Sequence, residues 1–122
     1  MCYAALTKGT TAPQAELLIA AEKLGLIEEL MAEFSGSQPA AAKRMEYGIP
    51  GMPAKPRRWV GEMGEIGATF RDLGLTPNIF KGVADKYRMI GDSPLGDENP
   101  ESRDTERGLG ETIRIIAEST GD

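Results

Sequence analysis

Residues 57–73 read Arg-Arg-Trp-Val-Gly-Glu-Met-Gly-Glu-Ile-Gly-Ala-Thr-Phe-Arg-Asp-Leu. Within them Trp59, Met63, Ile66, Phe70 and Leu73 recur at alternating steps of four and three. That spacing predicts an α-helix with one apolar stripe turned toward a core. Gly74 stands where a left-handed residue ends a helix. Gly61, Gly64 and Gly67 lie beside the stripe, and each costs a helix ~1 kcal/mol relative to alanine. Such a cost predicts a neighbouring element in close contact with this face, so that Gly64→Ala would destabilise the protein.

Downstream, Thr76-Pro77 reads as a cap followed by proline in the first helical position. The next helix, 77–90, is expected to bury Phe80, Val83, Ala84, Tyr87 and Ile90. Residues 91–99 are expected to form a polar loop, with Asn99-Pro100 as another cap and helix start. A last helix is expected over about 104–119, with Leu109, Ile113 and Ile116 on one side and Arg107, Glu111, Arg114 and Glu118 as a solvated ladder.

Upstream, residues 48–56, Gly-Ile-Pro-Gly-Met-Pro-Ala-Lys-Pro, are too rich in breakers for a helix or a central strand and read as the main loop. Residues 26–34 place Leu26, Ile27, Leu30, Met31 and Phe34 on one face. Ser35 to Pro39 reads as a loop leading into a short helix that ends near Tyr47. The first segment, Met1 to about Leu24, is apolar nearly all round between residues 14 and 24, which predicts burial on several sides or association with another chain. Pro13, following Gly9, predicts a kink or break near residues 9–13. Gly25 supplies the C-terminal stop. No segment alternates with period two, and no long internal repeat is present. The expectation is an all-α, multi-helix single domain, in keeping with 122 residues of which 40% are hydrophobic and 6% aromatic.

Composition narrows the function classes. The net charge of −5 argues against nucleic acid or an acidic membrane as partner. The only basic concentration, Lys43, Arg44, Lys55, Arg57 and Arg58, is where an anion would be drawn. With no histidine and one cysteine, neither a histidine-based triad nor a zinc site is expected. Cys2 reads as a small buried residue. Without an apolar run of membrane length or an export signal, a cytoplasmic location is expected.

The order of motifs adds a family. Met1-Cys-Tyr-Ala-Ala-Leu-Thr-Lys-Gly-Thr-Thr-Ala12 resembles the opening of the long helix that starts the C-terminal domain of 6-phosphogluconate-dehydrogenase-like and 3-hydroxyisobutyrate-dehydrogenase-like NAD(P)-dependent oxidoreductases. Gly48-Ile-Pro-Gly-Met-Pro53, Arg58-Trp-Val-Gly-Glu-Met63, Phe70-Arg-Asp-Leu-Gly-Leu75 and Phe80-Lys-Gly-Val-Ala-Asp-Lys-Tyr-Arg88 follow in that domain's order, over residues 1 to about 100. The resemblance implies a substrate-binding and dimerising half, inactive alone, with NAD(P) bound by a separate nucleotide-binding domain. Its partners would be a second copy or that domain. The family's catalytic lysine would fall immediately before Met1. Tyr3 and Ala4 replace its amide residues, and Gly61-Glu62 replaces its Lys-Asp pair, with Arg57 or Arg58 as candidate sources of the missing positive charge.

No Gly-x-Gly-x-x-Gly turn follows a strand, so no cofactor site is expected in this chain. Candidate substrate contacts are Tyr3, Thr7, Lys8, Arg57, Arg58, Trp59 and Glu62. Each also has a plainer reading. Trp59 is a core anchor, the two arginines are surface charge, Glu62 and Glu65 are a solvated face, and Tyr3 is a packing residue. Pro53 to Arg58 also fits a polyproline ligand pattern. The competing function is a non-enzymatic helical interaction module.

Overall fold

The computed structural model describes residues 1–54, 56–99, 101–102 and 104–121, and among these it contains helices and no strand. The order is α1 (Cys2–Lys23), α2 (Ile27–Ser37), α3 (Pro39–Gly48), a 3₁₀ turn (Met52–Ala54), α4 (Pro56–Asp72), α5 (Asn78–Gly91), a second 3₁₀ turn (Pro94–Asp97) and α6 (Leu109–Ser119). The all-α reading holds.

Local chemistry sets the clearest boundaries. Gly25 (φ 71°) and Gly74 (φ 84°) are left-handed and stop α1 and α4. In both, the amide two residues past the last turn reaches back to close it: Leu26 N–H to Ala21 O at 2.8 Å, and Leu75 N–H to Phe70 O at 2.9 Å. The Thr76 hydroxyl accepts from Asn78 N–H at 3.1 Å at the entry to α5. Pro39 opens α3 as expected.

α4 and α5 form an antiparallel pair, and α1 packs across α5 and α6. Leu18 of α1, Met63 of α4, Tyr87 and Ile90 of α5, and Ile113 and Ile116 of α6 are completely buried where these helices meet. Phe80 is only half-buried. Of the α4 stripe, Met63 and Ile66 are buried, Trp59 and Phe70 partly so, and Leu73 is exposed at the turn.

Several expectations are corrected. α1 runs through Pro13 unbroken. Buried Ala12, Ala15, Leu18 and Ile19 hold both halves of the helix on the core, which outweighs one lost backbone bond. Gly9 serves close approach instead, because a methyl there would lie 2.8 Å from the Phe80 ring. The expected loop at 35–39 shrinks to Gln38 alone, since α2 continues to Ser37. The proline-rich stretch contributes to the core: Ile49, Met52 and Pro53 are buried and Met52–Ala54 is helical for one turn. Burial of Pro53 and Pro56 also removes the polyproline ligand motif, whose Lys55 lies outside the described residues.

The 91–99 segment is likewise not a solvated loop, for Ser93 and Leu95 are buried. α6 starts at Leu109 rather than near 104. Asn99 Oδ1 accepts from the amides of Glu101 (3.0 Å) and Ser102 (2.8 Å), and Asp104 Oδ1 from Glu106 (3.0 Å). These side chains satisfy the backbone in turns and so compete with a helix. Asn99 therefore caps a turn, and Pro100 lies outside the described residues. Cys2 is exposed, not buried. Gly61 and Gly64 are exposed with open space where a side chain would stand. Only Gly67 is close-packed, its missing methyl lying 3.1 Å from Pro77 O.

Candidate functional site

Three of the residues singled out in the sequence converge where α1 crosses α4. Lys8 Nζ donates to Glu62 Oε2 at 2.7 Å, and the same ammonium lies 5.3 Å from the centre of the Trp59 ring. Trp59 meets the Tyr87 ring edge-on, with centroids 5.1 Å apart. The Tyr87 hydroxyl donates to the carbonyl of Lys8. Lysine, indole, phenol and backbone thus close a circuit across α1, α4 and α5.

The physical chemistry of the circuit is consistent. An ammonium over an indole face is attracted by the ring quadrupole. Lys8 and Glu62 keep 27% and 37% side-chain exposure, so their pairing is partly screened and its net worth modest. Tyr87 is fully buried, and desolvation raises its phenol pKa well above the ordinary 10.0, keeping it a neutral donor.

The partner of Glu62 lies on another helix. Neither Arg57 nor Arg58 supplies its positive charge; Lys8 does, from another helix. Arg57 instead donates to Gly91 O at 2.8 Å and Gly96 O at 3.1 Å, holding the end of α5 against the following 3₁₀ turn. Arg58 is exposed surface. Tyr3 is 80% exposed, and Thr7 donates to Tyr3 O at 3.1 Å within α1. These two share a helix with Lys8 and do not join its circuit.

Two recesses flank the circuit. Glu62 lines one of about 330 Å³ at the start of α1, together with Met1, Glu65, Ile66 and Thr69. Trp59 lines a wider cleft of about 720 Å³ whose walls include Tyr47, Met52, Glu106 and Arg107. Both volumes lie in the range of small-molecule sites.

Arg107, expected on a solvated ladder, is a buried side chain. Its side chain is 5% exposed and forks onto Glu98, NH1 to Oε2 at 2.7 Å and NH2 to Oε1 at 2.6 Å. It also donates to Thr112 Oγ1 at 3.0 Å and Pro50 O at 3.3 Å. Hydrogen bonding to Glu98 raises the guanidinium pKa further. The expected surface ladder is therefore only Arg114 with Glu111 and Glu118. The one available signal was the turn chemistry of Asn99 and Asp104, which takes Arg107 off the helix.

Residues 21–90 match the family described as Domain of unknown function (DUF1932). The chain belongs to this family. The match spans the end of α1 through nearly all of α5, and so includes Trp59, Glu62 and Tyr87 but not Lys8. No curated protein and no solved structure matches the chain. Among the described residues, no cluster of His, Cys, Asp or Glu is placed to hold a metal ion, and no helix is long and apolar enough to cross a membrane.

Proposed function

We propose that this chain is the substrate-binding and dimerising helical half of an NAD(P)-dependent hydroxyacid dehydrogenase of the 6-phosphogluconate or 3-hydroxyisobutyrate dehydrogenase type. The DUF1932 family is known as the C-terminal helical domain of such proteins. The observation that carries the reading is the Lys8–Glu62 pair beside Trp59. Glu62 stands at the position of the acid in the family's Lys-Asp pair, and it lines the recess at Met1. A carboxylate held by an ammonium at the edge of a recess can accept hydrogen bonds from substrate hydroxyls.

The residues present do not fit a nicotinamide dinucleotide by themselves. A pyrophosphate needs a glycine turn between a strand and a helix N-terminus. Here Gly61, Gly64 and Gly67 lie inside α4. Titrating NADH or NADPH against Trp59 fluorescence should therefore give no saturable change at about micromolar cofactor.

The decisive test is the reading frame upstream of the Met1 codon. The proposal expects a lysine codon immediately before it and a Gly-x-Gly-x-x-Gly unit further upstream. The product carrying both should oxidise small hydroxyacids, with KM raised by Glu62→Gln. A frame without these features, in a protein that neither binds nor turns over hydroxyacids, would favour the non-enzymatic interaction module.

A further inference from the structure

One face of α1 is unexplained by the core or the candidate site. Tyr3, Leu6, Thr10, Pro13, Leu17, Ala20 and Leu24 follow each other at steps of three and four without a break. This is the spacing of a coiled-coil seam. It is not the seam that faces the core, which uses Ala12, Ala15, Leu18 and Ile19. Tyr3 is 80% exposed, Leu6 61%, Leu17 37% and Leu24 71%, while Pro13 and Ala20 are also exposed. No seam position carries a charge.

We infer that the C-terminal part of this seam binds a second copy of the chain, α1 against α1 in antiparallel order. Charge selects the occupant and the direction. One row flanking the seam holds Glu16 and Lys23, of opposite sign and one heptad apart. An antiparallel second copy sets Glu16 opposite the partner's Lys23, and Lys23 opposite the partner's Glu16, two reciprocal pairs from one two-fold axis. A parallel copy leaves both without an opposite charge. Each side chain remains accessible for this, although Glu16 already pairs with Lys86, and Lys23 donates to Gly121 O at 2.8 Å.

Shape agrees with the register that charge selects. Pairing Glu16 with the partner's Lys23 lays Leu17 on the partner's Ala20 and Pro13 on the partner's Leu24. Beside Pro13 an apolar slot of about 230 Å³ opens between α1 and α5, lined by Ala12, Pro13, Ile79, Gly82 and Val83 and edged by Glu16 and Lys86. The absent side chain of Gly82, with open space where a methyl would be, keeps it clear. The slot accepts the partner's Leu24, whose own slot accepts Leu24 in return. Tyr3 and Leu6 lie beyond the overlap, which leaves the start of α1 and its recess uncovered in the dimer.

The inference specifies the face through which the dimerising role in the proposed function would act. Sedimentation velocity of the full chain at about 10–100 μM should show a dimer. Leu24→Glu should weaken association at least about tenfold, and Tyr3→Glu should leave it unchanged. Lys23→Glu should weaken it, and adding Glu16→Gln to Lys23→Glu should recover part of the loss. Circular dichroism and urea melts of each variant separate misfolding from lost association, since Leu24 and Lys23 are exposed in the monomer. A chain that stays monomeric at about 100 μM overturns the inference, as does a dimer indifferent to Leu24→Glu or a Lys23→Glu defect that Glu16→Gln fails to relieve. Loss of the dimer interface in such tests leaves the hydroxyacid assay untouched, so the two readings fail separately.

Discussion

The outer face of α4 and the clasp that follows α5 both depend on glycine, and they use it in opposite ways. On α4, Gly61 and Gly64 sit in open space. In the clasp, a methyl on Gly96 would fall 1.8 Å from Gly91 O, and one on Gly91 would fall 3.1 Å from Arg57 Cγ. Helical periodicity drew attention to the first pair, while the second was hidden in a stretch that looked like a polar loop. A glycine's propensity cost does not reveal whether anything occupies the space it leaves; only the neighbours do.

The contrast can be broken by mutation. The largest effect is expected at the ion pair that anchors the clasp's far end. Arg107→Ala removes a guanidinium whose side chain is 5% exposed, and with it the fork onto Glu98 and the bonds to Thr112 Oγ1 and Pro50 O. It should destabilise by about 3–5 kcal/mol, read as a lower urea midpoint. An exposed ladder arginine, as the sequence suggested, would give less than about 0.5 kcal/mol.

Gly96→Ala comes next. Because the obstructing atom is backbone, the clasp must open, at a cost of about 2–3 kcal/mol. Retained stability would show that the 91–96 turn moves freely away from Arg57.

Alkaline pH probes the circuit at Lys8. The unfolded phenol titrates near 10, whereas the buried Tyr87 phenol titrates higher. The folded state then holds its proton more tightly than the unfolded state. The corresponding stability is full below pH 10 and declines as pH rises above it. Urea midpoints from pH 8 to about 11 should fall more steeply for the natural protein than for Tyr87→Phe. Identical slopes would mean that Tyr87 ionises without hindrance.

The smallest effect is expected at Gly64→Ala. With exposed, open space around it, the change should raise stability by up to about 1 kcal/mol through helix propensity alone. This reverses the expectation drawn from sequence. A lower midpoint would mean that a second chain covers this face of α4 and would restore the close-packing reading.

Residue order alone specifies what depends on neighbours a few residues apart. It placed α1, α4 and α5, their glycine stops at Gly25 and Gly74, the Thr76 cap and the buried positions Met63, Ile66, Val83, Tyr87 and Ile90. These follow from backbone geometry and from the 3.6-residue repeat, which act locally. It also named Lys8, Trp59 and Glu62 as candidates, without bringing them together.

What it did not determine was which charge meets which. Lys8 and Glu62 are 54 residues apart, and Arg107 reaches Pro50 across 57. Arg57 turns from a presumed ligand clamp into a brace for two glycine carbonyls, and Pro13 from a helix breaker into one wall of a surface slot. Long, flexible charged side chains have no local preference strong enough to fix a partner. The packing of α1 across α4 and α5 fixes it, by deciding which polar groups lose water together and must satisfy one another.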